Sequence, residues 1–336
     1  MNLNPMPFLK RQLAKAKALL HRLGNDAADT LPAGAPAPAT APTADRVASA
    51  AQSLDGRFQH RFGTRDYRLY LPPRAAGQPP ALRPLLLMLH GCNQTPDDFA
   101  TGTRMHEAAC AAGFLVLYPA QSAFANLHRC WNWFKRHHQQ RDRGEAALLA
   151  DLTREVQAAH GVDPARICVA GLSAGGAMAA VLGDVYPELF AAVGLHSGVP
   201  TGLASDMLSA MAVMKTGPRA PAVRTSAPPP TIVFHGDQDT VVHPANADAA
   251  MRPFATLGTR ETRQGLTDQG AAYTVHRIRT PAGRVVAEQW MVRGTGHAWS
   301  GGSAAGSYTA PSGPDATAAM VAFFQGQAAA ASRQFP

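Results

Sequence analysis

The stretch that most restricts what this chain can fold into is Gly171-Leu172-Ser173-Ala174-Gly175, a G-x-S-x-G pentapeptide, read with its flanks. Upstream, residues 166–170 form a short apolar run suited to a buried strand. Downstream, residues 176–182 are small and apolar, suited to a helix packed tightly on a sheet. A strand passing through a sharp turn into a helix holds a serine in a strained conformation, and glycines on either side let the two elements approach. The pentapeptide alone recurs by chance in unrelated chains. Its strand-turn-helix setting makes Ser173 a candidate nucleophile, and a carboxylate and a base must then follow later in the chain.

Other short apolar runs lie at 85–89, 114–118, 191–195 and 231–234, and helical periodicity at 104–112, 145–160 and 316–324. Continuous apolar strands alternating with helices specify a mostly parallel sheet covered on both faces, an α/β class. Residues 58–62 and 67–71 read as a hairpin turning at Gly63-Thr64. Residues 273–279 and 285–292 read as another, about Pro281-Ala282-Gly283-Arg284. Between His196 and Pro230 lies a small insertion with Met207, Leu208, Met211 and Met214 at helical spacing. It reads as a lid over an apolar substrate or as a packed crossover helix.

A chain of 336 residues with 46% hydrophobic content suits one large domain plus a tail. The domain is expected over 51–330. Residues 1–50 are expected to be a basic amphipathic helix followed by an unfolded Pro/Ala linker. Residues 1–24 lack the uninterrupted apolar core and cleavage site of a signal peptide, and read equally as a helix that contacts a membrane or other hydrophobic surface or as a solvated or processed leader. The net charge of +8 comes chiefly from scattered arginines without a basic, aromatic-interleaved run, which argues against nucleic acid as a partner. The four cysteines show no metal-site spacing. Cys110 and Cys168 fall in apolar elements as core thiols, whereas Cys92 and Cys130 fall in loops, where a disulfide or two free thiols are both compatible. No pattern fixes an oligomeric state.

A serine hydroxyl needs a contacting base, itself oriented by a carboxylate, in the chain order serine, acid, histidine. The strand at 231–234 runs into His235-Gly236-Asp237-Gln238-Asp239, where Asp239 is favoured as the acid and Asp237 as a loop brace. His297, in Gly296-His297-Ala298-Trp299, follows the acid and the final apolar strand and is the expected base. His196, His235 and His243 also lie near strand ends and read as supporting residues. The oxyanion requires two backbone N–H donors. Ala174 is one, and Cys92, with Gly91 as alternative, is the other. The aromatic loop Cys130-Trp131-Asn132-Trp133-Phe134 is read as a hydrophobic wall for substrate, or as aromatic packing on a helix. Nothing in this chemistry requires a metal or cofactor.

His90-Gly91-Cys92-Asn93-Gln94, Tyr118-Pro119-Ala120-Gln121, the Cys130 loop, the Ser173 elbow, His235-Gly236-Asp237-Gln238-Asp239 and Gly296-His297-Ala298-Trp299-Ser300-Gly301-Gly302 together resemble the polyhydroxybutyrate depolymerase family of esterases. The resemblance spans residues 57–325. It implies an α/β-hydrolase fold, Ser173, Asp239 and His297 as a triad, and hydrolysis of short-chain polyhydroxyalkanoate esters; Trp131, Trp133 and Trp299 are the candidate substrate contacts. It also implies an extracellular location, with a cytoplasmic one as the alternative. Related esterases cleave feruloyl or acetyl esters. The chain departs from secreted members in lacking a clear signal peptide, and a polymer-binding module after the catalytic domain, so amorphous polymer, oligomers or small esters are the expected substrates.

Overall fold

A computed structural model describes residues 52–73, 81–219 and 227–331. The expectations for residues 1–50 lie outside the described residues. The described chain builds a ten-stranded sheet in the order β1-β2-β4-β3-β5-β6-β7-β10-β9-β8. Its centre is six parallel strands: β4 (Leu115–Pro119), β3 (Arg83–Leu89), β5 (Val162–Leu172), β6 (Ala192–His196), β7 (Thr231–Gly236) and β10 (Val285–Val292). Antiparallel strands extend it at one edge, β2 (Gly63–Leu71) and β1 (Gln52–His60), and at the other, β9 (Ala272–Arg279) and β8 (Thr259–Leu266).

The central strands are apolar on both sides because both faces are covered. In β3, Leu85, Leu87 and Leu89 turn to one layer with α3 (Gly144–His160) and α4 (Ala174–Val185). Leu86 and Met88 turn to the other, with α1 (Pro96–Thr103), α2 (Met105–Ala111) and α7 (Ala316–Ala331). The remaining helices are α5 (Met207–Thr216) and α6 (Ala245–Met251). Two short strands, β11 (Trp299–Ser300) and β12 (Thr309–Ala310), pair separately.

Several expectations need adjusting. The first hairpin turns at Arg61-Phe62, with His60 opposite Gly63, so both strands are longer than the apolar residues alone suggest. The helix expected over 104–112 is preceded by a second one, α1. Thr95 caps it, its Oγ1 accepting from Asp98 N–H, and Arg104 at φ 51° separates the two. β8 is exposed along nearly its whole length and carries no apolar alternation to announce it. No helix among the described residues is long and apolar enough to cross a membrane.

Phe324 of α7 is fully buried, and its ring abuts Gly194 of β6. Phe324→Ala is expected to destabilise the domain by about 3–5 kcal/mol. This would be read as a lower urea midpoint, with turnover per folded molecule unchanged.

Candidate active site

Ser173 sits between β5 and α4 at φ 58°, ψ −118°, a conformation a side chain rarely adopts and which stores roughly 1–3 kcal/mol of strain. Two features hold it there. Its N–H donates to the carbonyl of His196 at the end of β6 (2.8 Å). Gly175 brings the first turn of α4 onto the end of β3 so closely that a Cβ would lie 2.0 Å from the Leu89 carbonyl oxygen.

The candidate acid and base, Asp239 and His297, come from loops beyond β7 and β10, joined by a second close approach. A Cβ on Gly236 would lie 2.0 Å from the Thr295 carbonyl oxygen. Gln238 N–H donates to that same oxygen (3.1 Å), and Asp237 Oδ1 accepts from Gly294 N–H (2.7 Å). Asp237 therefore braces the turn ahead of His297. The Asp239 carboxylate is buried; its Oδ1 accepts from Val241 N–H (2.9 Å) and Val242 N–H (2.8 Å), and its Oδ2 lies 2.7 Å from His297 Nδ1. Burial pushes its pKa up, but hydrogen bonds from His235 and His297 and from Val242 N–H pull harder, holding the carboxyl below its ordinary range. An ionised acceptor at Nδ1 places the hydrogen there and leaves Nε2 of neutral His297 as the basic atom.

On the other side stands the loop after β3. Gly91 N–H is taken by Gln94 Oε1 (2.9 Å), which leaves Cys92 N–H as the candidate oxyanion donor of this loop. Ala174 N–H lies at the first position of α4, where helix N–H groups have no intrahelical acceptor. The Cys92 loop is pinned several ways. Cys92 and Cys130 form a disulfide, and Asn93 N–H donates to the His128 carbonyl (2.7 Å). His90, buried, accepts from Gln121 N–H at Nε2 (3.1 Å) and donates from Nδ1 to its neighbour's carbonyl (2.7 Å); burial lowers its pKa to about 4. Beneath, buried Glu145 accepts at Oε1 from Arg65 (3.2 Å), Gln121 (2.6 Å) and Asn132 (2.8 Å) side chains, and at Oε2 from Asn132 N–H (2.7 Å). No sequence signal marked this hub, because its members are scattered from 65 to 145.

The structure corrects the three tryptophans expected to contact substrate. Trp131 is fully buried, its indole N–H donating to the His90 carbonyl (3.1 Å). Trp299 is buried too, donating to Thr317 Oγ1 (3.0 Å) and stacked on the His196 ring at 4.8 Å. Trp133 is buried edge-on against Phe134. Trp131 and Trp299 brace the loops from below. The exposed apolar side chains on loops leaving the same strand ends are instead Phe124, Leu127, Met207, Leu208, Met211 and Val241, with Tyr308 beyond β11. α5 buries Ala210 and Val213 and packs Met214 partly against the core, so Met207 and Met211 project to solvent.

His196 and His243 support neighbouring backbone. His196, whose pKa burial depresses strongly, accepts Ser300 N–H at Nε2 (3.0 Å), tying the serine elbow to the segment carrying His297. His243 Nδ1 accepts from Ala245 N–H (3.2 Å) at the start of α6. Cys110 and Cys168 are free and buried, and burial raises their thiol pKa values to about 11 and about 12. No group of three or more metal-binding side chains converges among the described residues. A groove of about 1200 Å³ between the β9-β10 hairpin and α7 contains none of Ser173, Asp239 or His297.

A parallel sheet crossed by a strained serine elbow, with acid and histidine on later strand-end loops, defines the α/β-hydrolase class. The acetyl xylan esterase of Aspergillus awamori shares the fold, with a TM-score of 0.59 at 18% identity over 73% of this chain and 94% of that one. Within that class, the chain belongs to the family described as Esterase PHB depolymerase, whose profile matches residues 65–272. The match takes in Ser173 and Asp239 and ends before His297. Poly(3-hydroxyalkanoate) depolymerase C of Paucimonas lemoignei is 30% identical over 249 residues, covering 70% of this chain and 60% of the relative. Poly(3-hydroxybutyrate) depolymerase of Ralstonia pickettii is 33% identical over 141 residues, 40% of this chain and 29% of the relative. The chain thus spans less than two thirds of either depolymerase. Feruloyl esterase B of Thermothelomyces thermophilus is 27% identical over 215 residues, 58% of this chain and 72% of the relative.

Closing a loop with a sequence separation of 38 through Cys92 and Cys130 contributes about 4 kcal/mol on the chain-entropy account. Cys130→Ser is therefore expected to lower the melting temperature and, by freeing the Cys92 loop, to reduce kcat more than it raises KM. Ester kinetics and thermal melts with and without dithiothreitol check this, since reductant should alter the parent and leave the variant unchanged.

Proposed function

We propose that this chain is a serine esterase hydrolysing short-chain polyhydroxyalkanoate esters, polyhydroxybutyrate foremost, as amorphous polymer or oligomers. The observation that carries the reading is the 2.7 Å contact between His297 Nδ1 and Asp239 Oδ2, on loops at the same end of the sheet as a serine at positive φ after β5. Ser173 Oγ attacks the ester carbonyl carbon while His297 Nε2 takes the hydroxyl proton. The oxyanion is stabilised by the N–H groups of Cys92 and Ala174. Collapse breaks the bond to the alcohol oxygen, which leaves with the proton from His297. Water then attacks the acyl-enzyme with His297 again as base, releasing the acid and restoring Ser173.

Two observations support the polymer. The named depolymerases are among its relatives, and the apolar rim of Phe124, Leu127, Met207, Leu208 and Met211 suits an aliphatic polyester better than a hydrated ligand. Residues 1–24 would add a second hydrophobic contact. The disulfide supports an extracellular location, since such bonds persist in oxidising compartments. A second reading, a feruloyl or acetylxylan-type esterase using the same residues, is favoured by the relatives bearing those names.

Purified protein should clear a suspension of amorphous polyhydroxybutyrate, and Ser173→Ala should lower clearing and soluble-ester hydrolysis by at least about a thousandfold while remaining folded. Hydrolysis of feruloyl or acetylated xylan esters without clearing would move the substrate to the second reading. Undiminished activity in the variant would remove Ser173 as nucleophile.

A further inference from the structure

We infer that His235 is a positioning residue of the proposed triad: its Nε2–H, hydrogen-bonded to the Val242 carbonyl, stands 3.3 Å from the Asp239 carboxylate oxygen that also meets His297. The inference rests on the triad reading above.

His235 is the penultimate residue of β7 and fully buried. Its Nε2 lies 2.8 Å from the Val242 carbonyl oxygen and 3.3 Å from Asp239 Oδ2. Both atoms are acceptors, so Nε2 carries a hydrogen. Nδ1 is buried and has no hydrogen-bond partner among the described residues. A hydrogen there would be a buried donor without an acceptor, whereas a bare lone pair is the less costly orphan. The environment therefore selects one species, the neutral ring with its hydrogen on Nε2.

The groups around it fit that assignment. Asp239, four residues on, and His297 meet it at the carboxylate. His196, on neighbouring β6, is kept neutral by burial, with His235 and His297 adding to the effect. His243, in the turn ending at α6, faces Ala245 N–H, and Asp248 of α6 is engaged by the Gln289 side chain (2.8 Å). Asp237 points away to Gly294. No charge other than Asp239 is thus free to define the role of this imidazole among these neighbours.

The consequence is electrostatic. The Nε2–H dipole of His235 beside Oδ2 offsets part of the carboxylate's charge and limits how strongly Asp239 stabilises the imidazolium of His297. Removing it leaves that charge to His297 Nδ1–H, so the acidic limb of kcat/KM moves to higher pH. As a buried residue, His235 should leave KM nearly alone.

The test compares His235→Leu, which removes the donor, with His235→Gln, which returns an N–H near Nε2, on p-nitrophenyl butyrate from pH 4.5 to 9. For His235→Leu the expected result is an acidic limb displaced upward by roughly half a pH unit or more, with KM and the plateau kcat each within about threefold of the parent. His235→Gln should return the limb to its parental position. A limb unmoved in both variants, or both equally impaired, would reduce His235 to packing and overturn the inference. In case the leucine variant does not fold, nitrogen-15 NMR of histidine-labelled parent protein reads the ring directly. A neutral Nε2–H form supports the role, and an Nδ1–H form or an imidazolium overturns it. Failure of the triad reading itself shows separately, as an active Ser173→Ala protein or a parent that a fluorophosphonate does not label.

Discussion

The site depends on two places where backbone meets backbone without a side chain between. At Gly175 the start of α4 rests on the end of β3, and at Gly236 the end of β7 rests on the turn before His297. The first contact sets Ala174 N–H beside the loop that carries Cys92. The second sets Asp239 beside His297. A methyl group at either position would collide with a carbonyl oxygen at 2.0 Å, and the loops would have to part. The strained Ser173 backbone persists because these contacts, and the bond to the His196 carbonyl, over-determine it.

Around this frame the polar groups are arranged so that each buried loop is held from several directions. The oxyanion side leans on Glu145, whose oxygens gather donors from β2, from the segment after β4 and from the loop after Cys130. A buried carboxylate is tolerable only with such partners, and removing one would leave a desolvated charge. The Ser173 side leans on His196, whose carbonyl holds the serine and whose ring holds Ser300. Trp131 and Trp299 complete both supports, each spending its indole N–H inside the protein. Rigidity below the site contrasts with the projecting apolar side chains of α5 and the Phe124 loop above it.

Most of the parallel core was legible because each central strand is apolar on both faces, a pattern that survives without tertiary information. The elbow and the pairing of Asp239 with His297 were expected because the proposed chemistry imposes an order along the chain, and the bonds to Asp237 and the Gly91 N–H favour Asp239 and Cys92 among the alternatives. Long-range features were not legible. Glu145 has no local signature, since its partners are brought together only by folding. Trp131 and Trp299 misled because an aromatic residue near a strand end serves equally as substrate wall or as loop support, and only burial distinguishes them. β8 was invisible because its residues face water and it is held by pairing with β9 alone.

The most direct measurement of the central claim is a crystal structure of the protein inactivated with a phosphonate ester, a stable mimic of the tetrahedral intermediate. The account predicts phosphorus bonded to Ser173 Oγ, with one phosphonyl oxygen about 2.7–3.1 Å from both Cys92 N and Ala174 N. His297 Nε2 should face the position of the leaving group. An adduct on another residue, or a phosphonyl oxygen turned away from both N–H groups, would contradict it.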